Sequence, residues 1–254
     1  MQKLLATLAL LVISIPAIAD NKFSLGTGFD YSTGTYGNAA STSILMVPVI
    51  AKLESDGLTV KLTVPFISIT GPGGVVQGVG RVGAAPVAVG GRNSTTTNSG
   101  LGDVTTSLGY TVYSADAFSL DLVGKVKFGT AAAPALGTGK TDYSVQVDGF
   151  YTLNQTTPFV TIGYKVYGQP VGYTLKNSPY ATLGASQKLG EKTSAGIMLD
   201  FVKSPIATSA DRRELTVFAA QKIGSSLKVQ ANLLKGFSNA SPDFGGGIMI
   251  TATF

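Results

Sequence analysis

The chain contains no cysteine, no histidine and no tryptophan. Without cysteine it can form neither a disulfide nor a thiolate metal site, and we expect no bound metal and no other cofactor. Without histidine it lacks the commonest general base, so an enzyme is the least favoured class of function. Charged residues are also few, at 13% of 254 residues, whereas glycine is abundant at 32.

The N-terminal segment has the features of a secretory signal peptide in the expected order. Lys3 precedes an apolar run over residues 4–15, and residues 17–19 read Ala-Ile-Ala, the small-x-small pattern of a cleavage site. The apolar run is too short to span a bilayer as a helix. The sequence therefore predicts that residues 1–19 are removed on export and that residues 20–254 form a single domain.

The remaining composition points to a membrane rather than to nucleic acid. The net charge is +5, but the basic residues are spread along the chain without a basic run, so we expect no nucleic-acid partner. Mean hydropathy is positive, yet no second apolar run approaches the length of a membrane helix. A closed β-sheet offers such a chain a way across a bilayer, because it leaves no backbone edge unpaired in lipid.

Apolar and polar residues alternate with a period of two through most of the chain. In the last segment Phe244, Ile248, Ile250 and Phe254 share one face, and Thr251 lies on the other. This pattern is typical of strands with one apolar face. Twelve such segments are predicted, at residues 22–32, 43–54, 57–69, 101–113, 117–129, 141–153, 157–169, 179–190, 192–203, 212–223, 226–238 and 243–254.

Short and long connections alternate between these segments. The tight links contain turn residues such as Asp56-Gly57 and Gly224-Ser225, whereas the longest link covers residues 70–100. Bacterial barrels place their short turns in the periplasm and their long loops outside. The sequence therefore predicts an all-β fold, a transmembrane antiparallel up-and-down β-barrel of twelve strands in the outer membrane of a Gram-negative bacterium.

A secreted β-sandwich or adhesin is the alternative fold. Its strands would show the same alternation, but it would not require short and long links in strict order. The terminal Phe254, with apolar residues at every second position before it, also resembles the signal read by the outer-membrane insertion machinery. We therefore expect this machinery, outer-membrane lipid and lipopolysaccharide as partners.

The polar faces of the predicted strands carry charges of both signs. These side chains could line an aqueous channel for small solutes, or pair across the interior and close it, because twelve strands lie between filled and open barrels. The candidate lumen-lining residues are Asp121, Lys125, Lys127, Asp148, Lys165, Asp200 and Glu214.

Loop 70–100 is rich in glycine, valine and alanine, and its only charged residues are Arg81 and Arg92. One interpretation is that the loop folds into the barrel mouth as a gate that includes these two arginines. The other is a mobile loop or an extended hairpin above the membrane. A solvated loop is normally more polar, which is the observation behind the first interpretation.

Three segments carry a resemblance to a known family. They read VPFISITGPG from Val64, SGLGDVTTSLGY from Ser99 and KGFSNASPDFGGGIMITATF from Lys235. In this order they resemble the bacterial outer-membrane family described as the MetA pathway of phenol degradation, a group of transporters. The resemblance implies a barrel and the uptake of small aromatic or hydrophobic compounds. It carries over no binding residues.

Two further classes of function stay open beside a channel. The first is a closed anchoring or adhesion barrel whose extracellular loops bind a partner. The second is a barrel enzyme, which would need a carboxylate pair with separated pKa values in place of histidine. Bilayer conductance distinguishes a channel from an anchoring barrel.

Overall fold

The computed structural model describes residues 21–76, 80–81, 95–172 and 174–254. The predicted signal peptide at residues 1–19 lies outside the described residues, and so does Arg92. A search of the described residues finds no helix that is long and apolar enough to cross a membrane.

Fifteen β-strands run through these ranges, and all but two short ones belong to a single sheet. Alternating and β-branched residues form the long strands, since such residues fit a pleated surface with two different faces. The strands are β1 Lys22–Gly34, β2 Thr42–Ser55, β3 Leu58–Gly71, β4 Val75–Val76, β5 Gly80–Arg81, β6 Thr96–Leu101, β7 Thr105–Ala115, β8 Phe118–Lys127, β9 Asp142–Tyr151, β10 Thr156–Val166, β11 Ser178–Lys188, β12 Thr193–Val202, β13 Arg212–Ile223, β14 Leu227–Gly236 and β15 Phe244–Thr253.

The large sheet closes on itself as an antiparallel barrel. Strand β1 pairs with β2 on one side and with β15 on the other, which joins the first strand to the last. Strand β7 pairs with the first half of β3, and β6 pairs with its second half. Strands β6 and β7 therefore share one strand position in the barrel wall, and each such position is called a stave. The barrel thus has twelve staves, and the prediction of a twelve-strand antiparallel barrel is confirmed.

The prediction of a continuous strand at residues 101–113 was wrong in two respects, its starting residue and its lack of a break. The stave begins at Thr96 and breaks over residues 102–104. At the break the N–H of Gly102 donates to the carbonyl of Pro65 at 2.9 Å, and a Cβ on Gly102 would run into the side chain of Ile67. The loop predicted at 70–100 is therefore shortened to residues 72–95.

The short links lie at one end of the barrel and the longer ones at the other, as the sequence predicts. Asp56, Asp116 and Asn154 occupy the short links with φ of 44°, 49° and 55°. Aspartate and asparagine tolerate this left-handed conformation better than other side chains with a Cβ. These turns fix the register of the hairpins that they close.

The two faces of the barrel wall differ in chemistry. Residues directly opposite each other in an antiparallel pair share a face, so the strand register assigns each side chain to one side. The outer face carries exposed apolar side chains such as Phe29, Leu45 and Ile248, at 44%, 40% and 41% exposure. The inner face carries nearly all the charges of the barrel strands.

We predict that arginine at position 248 destabilises the barrel much more than arginine at position 251. Ile248 faces outward, whereas Thr251 faces inward opposite Lys228. An arginine on the lipid face near the midplane costs about 2–4 kcal/mol, and Thr251→Arg should cost less than half of this. Guanidinium titration in phospholipid vesicles measures both free energies of unfolding. Equal costs would contradict the register of β15.

Candidate functional site

The structure places all seven candidate lumen residues on the inner face of the barrel. Asp121 lies directly opposite Asp148, and Asp200 lies directly opposite Glu214. The other three are basic: Lys125 and Lys127 lie on β8, and Lys165 lies on β10. Their contribution to a solute path stays a prediction.

An ion-pair network at the long-loop end is centred on Asp142 at the start of β9. Its side chain is 1% exposed. Its Oδ2 lies 3.4 Å from the Nζ of Lys127 and 3.2 Å from the Nζ of Lys165, while its Oδ1 accepts the N–H of Gly168 at 3.1 Å. One buried carboxylate thus joins two neighbouring strands and the loop after β10.

Lys127 extends the network to Asp103, which lies in the break between β6 and β7. The Nζ of Lys127 is 2.5 Å from Oδ2 of Asp103 and donates to the carbonyl of Lys140 at 3.0 Å. The Oδ1 of Asp103 accepts the N–H of Ala131 at 3.0 Å. The network therefore also holds the loop between β8 and β9 against the inner wall.

The sequence predicts that Asp103 and Asp142 face inward but does not single them out as candidates. Their importance depends on Lys127 and Lys165, which approach them only when the sheet has closed. The alternating pattern predicts the face of each side chain but not its partner in a neighbouring strand.

A second network lies deeper in the barrel and is built from hydrogen bonds. The Nζ of Lys125 donates to Oε1 of Gln146 at 2.5 Å, and the Nε2 of Gln146 donates to Asp148 at 2.7 Å. Thr161 donates to Asp148 and Tyr180 donates to Gln146. Within the described residues Lys125 makes no ion pair, so its charge faces the interior without a bound carboxylate.

An apolar cluster covers another part of the inner wall, on β2 and β3. Ile44, Ile67 and Ile69 are at most 7% exposed, and Val75 of β4 and Leu136 of the loop between β8 and β9 pack on them. Two loops from the long-loop end therefore fold into the barrel. A gating function for this arrangement stays a prediction.

The two arginines of the predicted gate are placed differently. Arg81 belongs to the short hairpin β4–β5, where its backbone pairs with that of Val75. Arg92 lies outside the described residues. The gating interpretation of loop 70–100 therefore stays a prediction.

Two cavities lie between these walls in the mouth of the barrel. The mixed-charge cavity, of about 180 Å³, is bordered by Asp30 and Glu214, by Lys203, and by the apolar Tyr36, Val75 and Val76. The basic cavity, of about 260 Å³, is bordered by cations and one carboxylate. Both are lined by Tyr167, Val202 and Arg212. The charged residues of the basic cavity are Lys125, Lys127, Asp142, Lys165 and Arg212.

Two tyrosines in the loops contribute hydroxyl groups to this region. Burial raises the pKa of both Tyr36 and Tyr167 above the ordinary value for tyrosine, so both stay neutral at physiological pH. The Nζ of Lys165 lies 4.3 Å from the ring centroid of Tyr167. The mouth therefore combines fixed charges, neutral hydroxyl groups and an apolar wall.

Comparison with known proteins identifies the fold. The barrel matches the KdgM porin with a TM-score of 0.54, at 9% identity over 91% of this chain and 99% of that chain. It matches the translocator domain of the autotransporter NalP from Neisseria meningitidis with a TM-score of 0.50, at 12% identity over 100% and 94%. The likeness to the toluene transporter TodX from Pseudomonas putida, at a TM-score of 0.44, 10% identity and 93% and 89% coverage, is too distant to carry an argument.

No protein-family model matches the chain, and no curated protein matches its sequence. The solved structures show that the fold is that of outer-membrane β-barrels, a class that includes porins. The resemblance to the family of the MetA pathway of phenol degradation therefore stays a prediction.

We predict that Asp142→Asn lowers the free energy of unfolding by about 1–3 kcal/mol. The substitution leaves Lys165 without its ion-pair partner and Lys127 with Asp103 alone. Denaturant titration in micelles measures the change. Glu54→Gln is the matched control, because it removes an exposed ion pair with Lys52 at 2.8 Å and should cost less than about 1 kcal/mol. Equal losses of unfolding free energy in the two variants would show that burial of the Asp142 network contributes nothing to stability.

Proposed function

We propose that this protein is an outer-membrane channel through which small solutes diffuse. The observation that carries the proposal is the division of the barrel wall into an apolar outer face and a charged inner face that borders two cavities. The apolar outer face is compatible with a lipid bilayer, and the charged inner face is compatible with water or a polar solute.

The proposed orientation places the short turns in the periplasm and the long loops outside. The even number of staves brings the start of β1 and the end of β15 to the short-turn end. There the N–H of Phe254 donates to the carbonyl of Phe23 at 2.8 Å, and the two rings stack with centroids 6.2 Å apart. We propose that export by a cleaved signal peptide and recognition of this terminal strand by the insertion machinery precede this closure.

We propose that the solutes include small compounds with an apolar or aromatic part. In the mixed-charge cavity Tyr36, Ile44, Val75 and Val76 offer an apolar surface beside charged groups. Such a surface suits a solute with one apolar and one polar side. We propose transport rather than catalysis, because the chain contains no histidine, the commonest general base.

A closed anchoring barrel is the second candidate function. It is supported by the apolar cluster and the Asp142 network, which together occupy much of the mouth. In this case the interior serves stability and the outer loops bind a partner. Conductance separates the two candidates.

We predict that the refolded protein gives single-channel steps in a phosphatidylcholine bilayer, and that Lys125→Glu shifts the current toward cations. Lys125 faces the basic cavity and has no ion-pair partner among the described residues, so reversal of its charge changes the field along the proposed path. The reversal potential in a KCl gradient measures the shift. Lys192→Glu is the control, since it makes the same charge change in the exposed turn between β11 and β12.

No steps from protein shown to be folded by heat-modifiable gel migration would contradict the channel and favour the anchoring barrel. Equal shifts for both variants would show that Lys125 lies outside the ion path.

We predict that Val75→Asn raises single-channel conductance. Val75 is 4% exposed and packs on Ile44 and Ile69, so a buried amide should loosen the inward fold of this loop. Val171→Asn is the matched control, because Val171 is 94% exposed in the loop between β10 and β11. Unchanged conductance in Val75→Asn would contradict a constriction at this wall.

A further inference from the structure

Arg213 and Lys235 are exceptions to the charge pattern of the barrel. Among the described strands of the barrel, every other Asp, Glu, Lys and Arg lies on the inner face, whereas these two face outward. Both lie at the long-loop ends of neighbouring strands, β13 and β14. A charge on the lipid face is unfavourable, least so near the membrane interface, so an outward pair of cations calls for an anionic partner.

The two cations lie close together, and each has an aromatic side chain beside it. Lys235 is directly opposite Leu215, two residues from Arg213 on the same face, which places the two Cβ atoms within about 8 Å. The Nζ of Lys235 lies 3.9 Å from the ring centroid of Phe244, and Phe201 is directly opposite Arg213. Neither cation has an ion-pair contact within the described residues. Asp211, which interacts electrostatically with Arg213, is already paired with Lys203 at 3.0 Å.

An apolar groove of about 520 Å³ lies on the outer wall directly below this pair. Its floor is formed by small residues on three strands, Ala219, Ala231 and Gly246, and Leu233 and Ile248 are among the larger residues that border it. Leu233 is two residues from Lys235 on the same face of β14, a separation of about 7 Å along the strand. The groove therefore begins where the cationic pair ends.

We propose that this surface is a binding site for a phosphorylated glycolipid of the outer leaflet, with the chemistry of lipid A. Arg213 and Lys235 bind its phosphates, and an acyl chain fills the groove below them. The proposal rests on the proposed outer-membrane placement, which sets the long-loop end in the leaflet that carries this lipid. Charge complementarity supports phosphate as the headgroup ligand, and the apolar lining of the groove supports an acyl chain below it.

Native mass spectrometry of the refolded chain in micelles tests the site. Bisphosphorylated lipid A should form a one-to-one adduct, and the double variant Arg213→Gln/Lys235→Gln should weaken this adduct roughly tenfold or more. The control Lys222→Gln/Lys228→Gln removes the same charge from a directly opposed pair on the inner face and should bind like the unchanged protein. Ala231→Phe fills the groove and should weaken binding without any change of charge.

Equal binding by the double variant and the unchanged protein would overturn the proposal, as would equal binding of lipid A and its dephosphorylated form. Equal binding of phosphatidylglycerol would overturn the assignment to a glycolipid. Conductance in phosphatidylcholine bilayers without lipid A tests the channel separately. Loss of lipid binding with normal conductance therefore concerns this site alone, and loss of conductance with normal binding concerns the channel alone.

Discussion

Closure of the backbone hydrogen-bond network between β1 and β15 is the constraint on which the rest of the structure depends. A bilayer core has no water to satisfy free N–H and C=O groups, so a sheet can cross it only without edges. The seam runs from Ser24 opposite Thr253 to Thr33 opposite Phe244. Glycines make the close approach possible, since a Cβ on Gly28 or Gly247 would collide with backbone carbonyl groups of the facing strand.

Closure also gives each side chain its environment. Once the wall is continuous, one parity of every strand meets lipid and the other faces an enclosed interior. The interior brings Asp142 to Lys127 and Lys165, and Asp103 to Lys127, so charges that would be solvated on an open sheet become partners. The same charges also hold loops at the long-loop end of the barrel, as the hydrogen bond from the N–H of Ala131 to Asp103 shows.

The interior is asymmetric, and this asymmetry underlies the proposed transport. One part of the inner wall is apolar and is covered by Val75 and Leu136, while other parts carry Lys125, Lys165, Asp30 and Glu214. The outer wall has its own asymmetry, because its two cations lie on neighbouring strands above a groove with a floor of small residues. The proposed solute path and the proposed lipid site lie on opposite faces of the same strands, so mutations can test them separately.

The sequence by itself determined the fold class, the twelve staves, the inward side for the seven candidate lumen residues and the alternation of short and long links. A period of two is a local property, and so is the turn chemistry at Asp56 or Asn154. Only the tertiary structure decided the break at Gly102, the inward fold of Val75 and Leu136, and the partners of Asp142. These depend on contacts between strands distant in the chain, and such contacts exist only after closure.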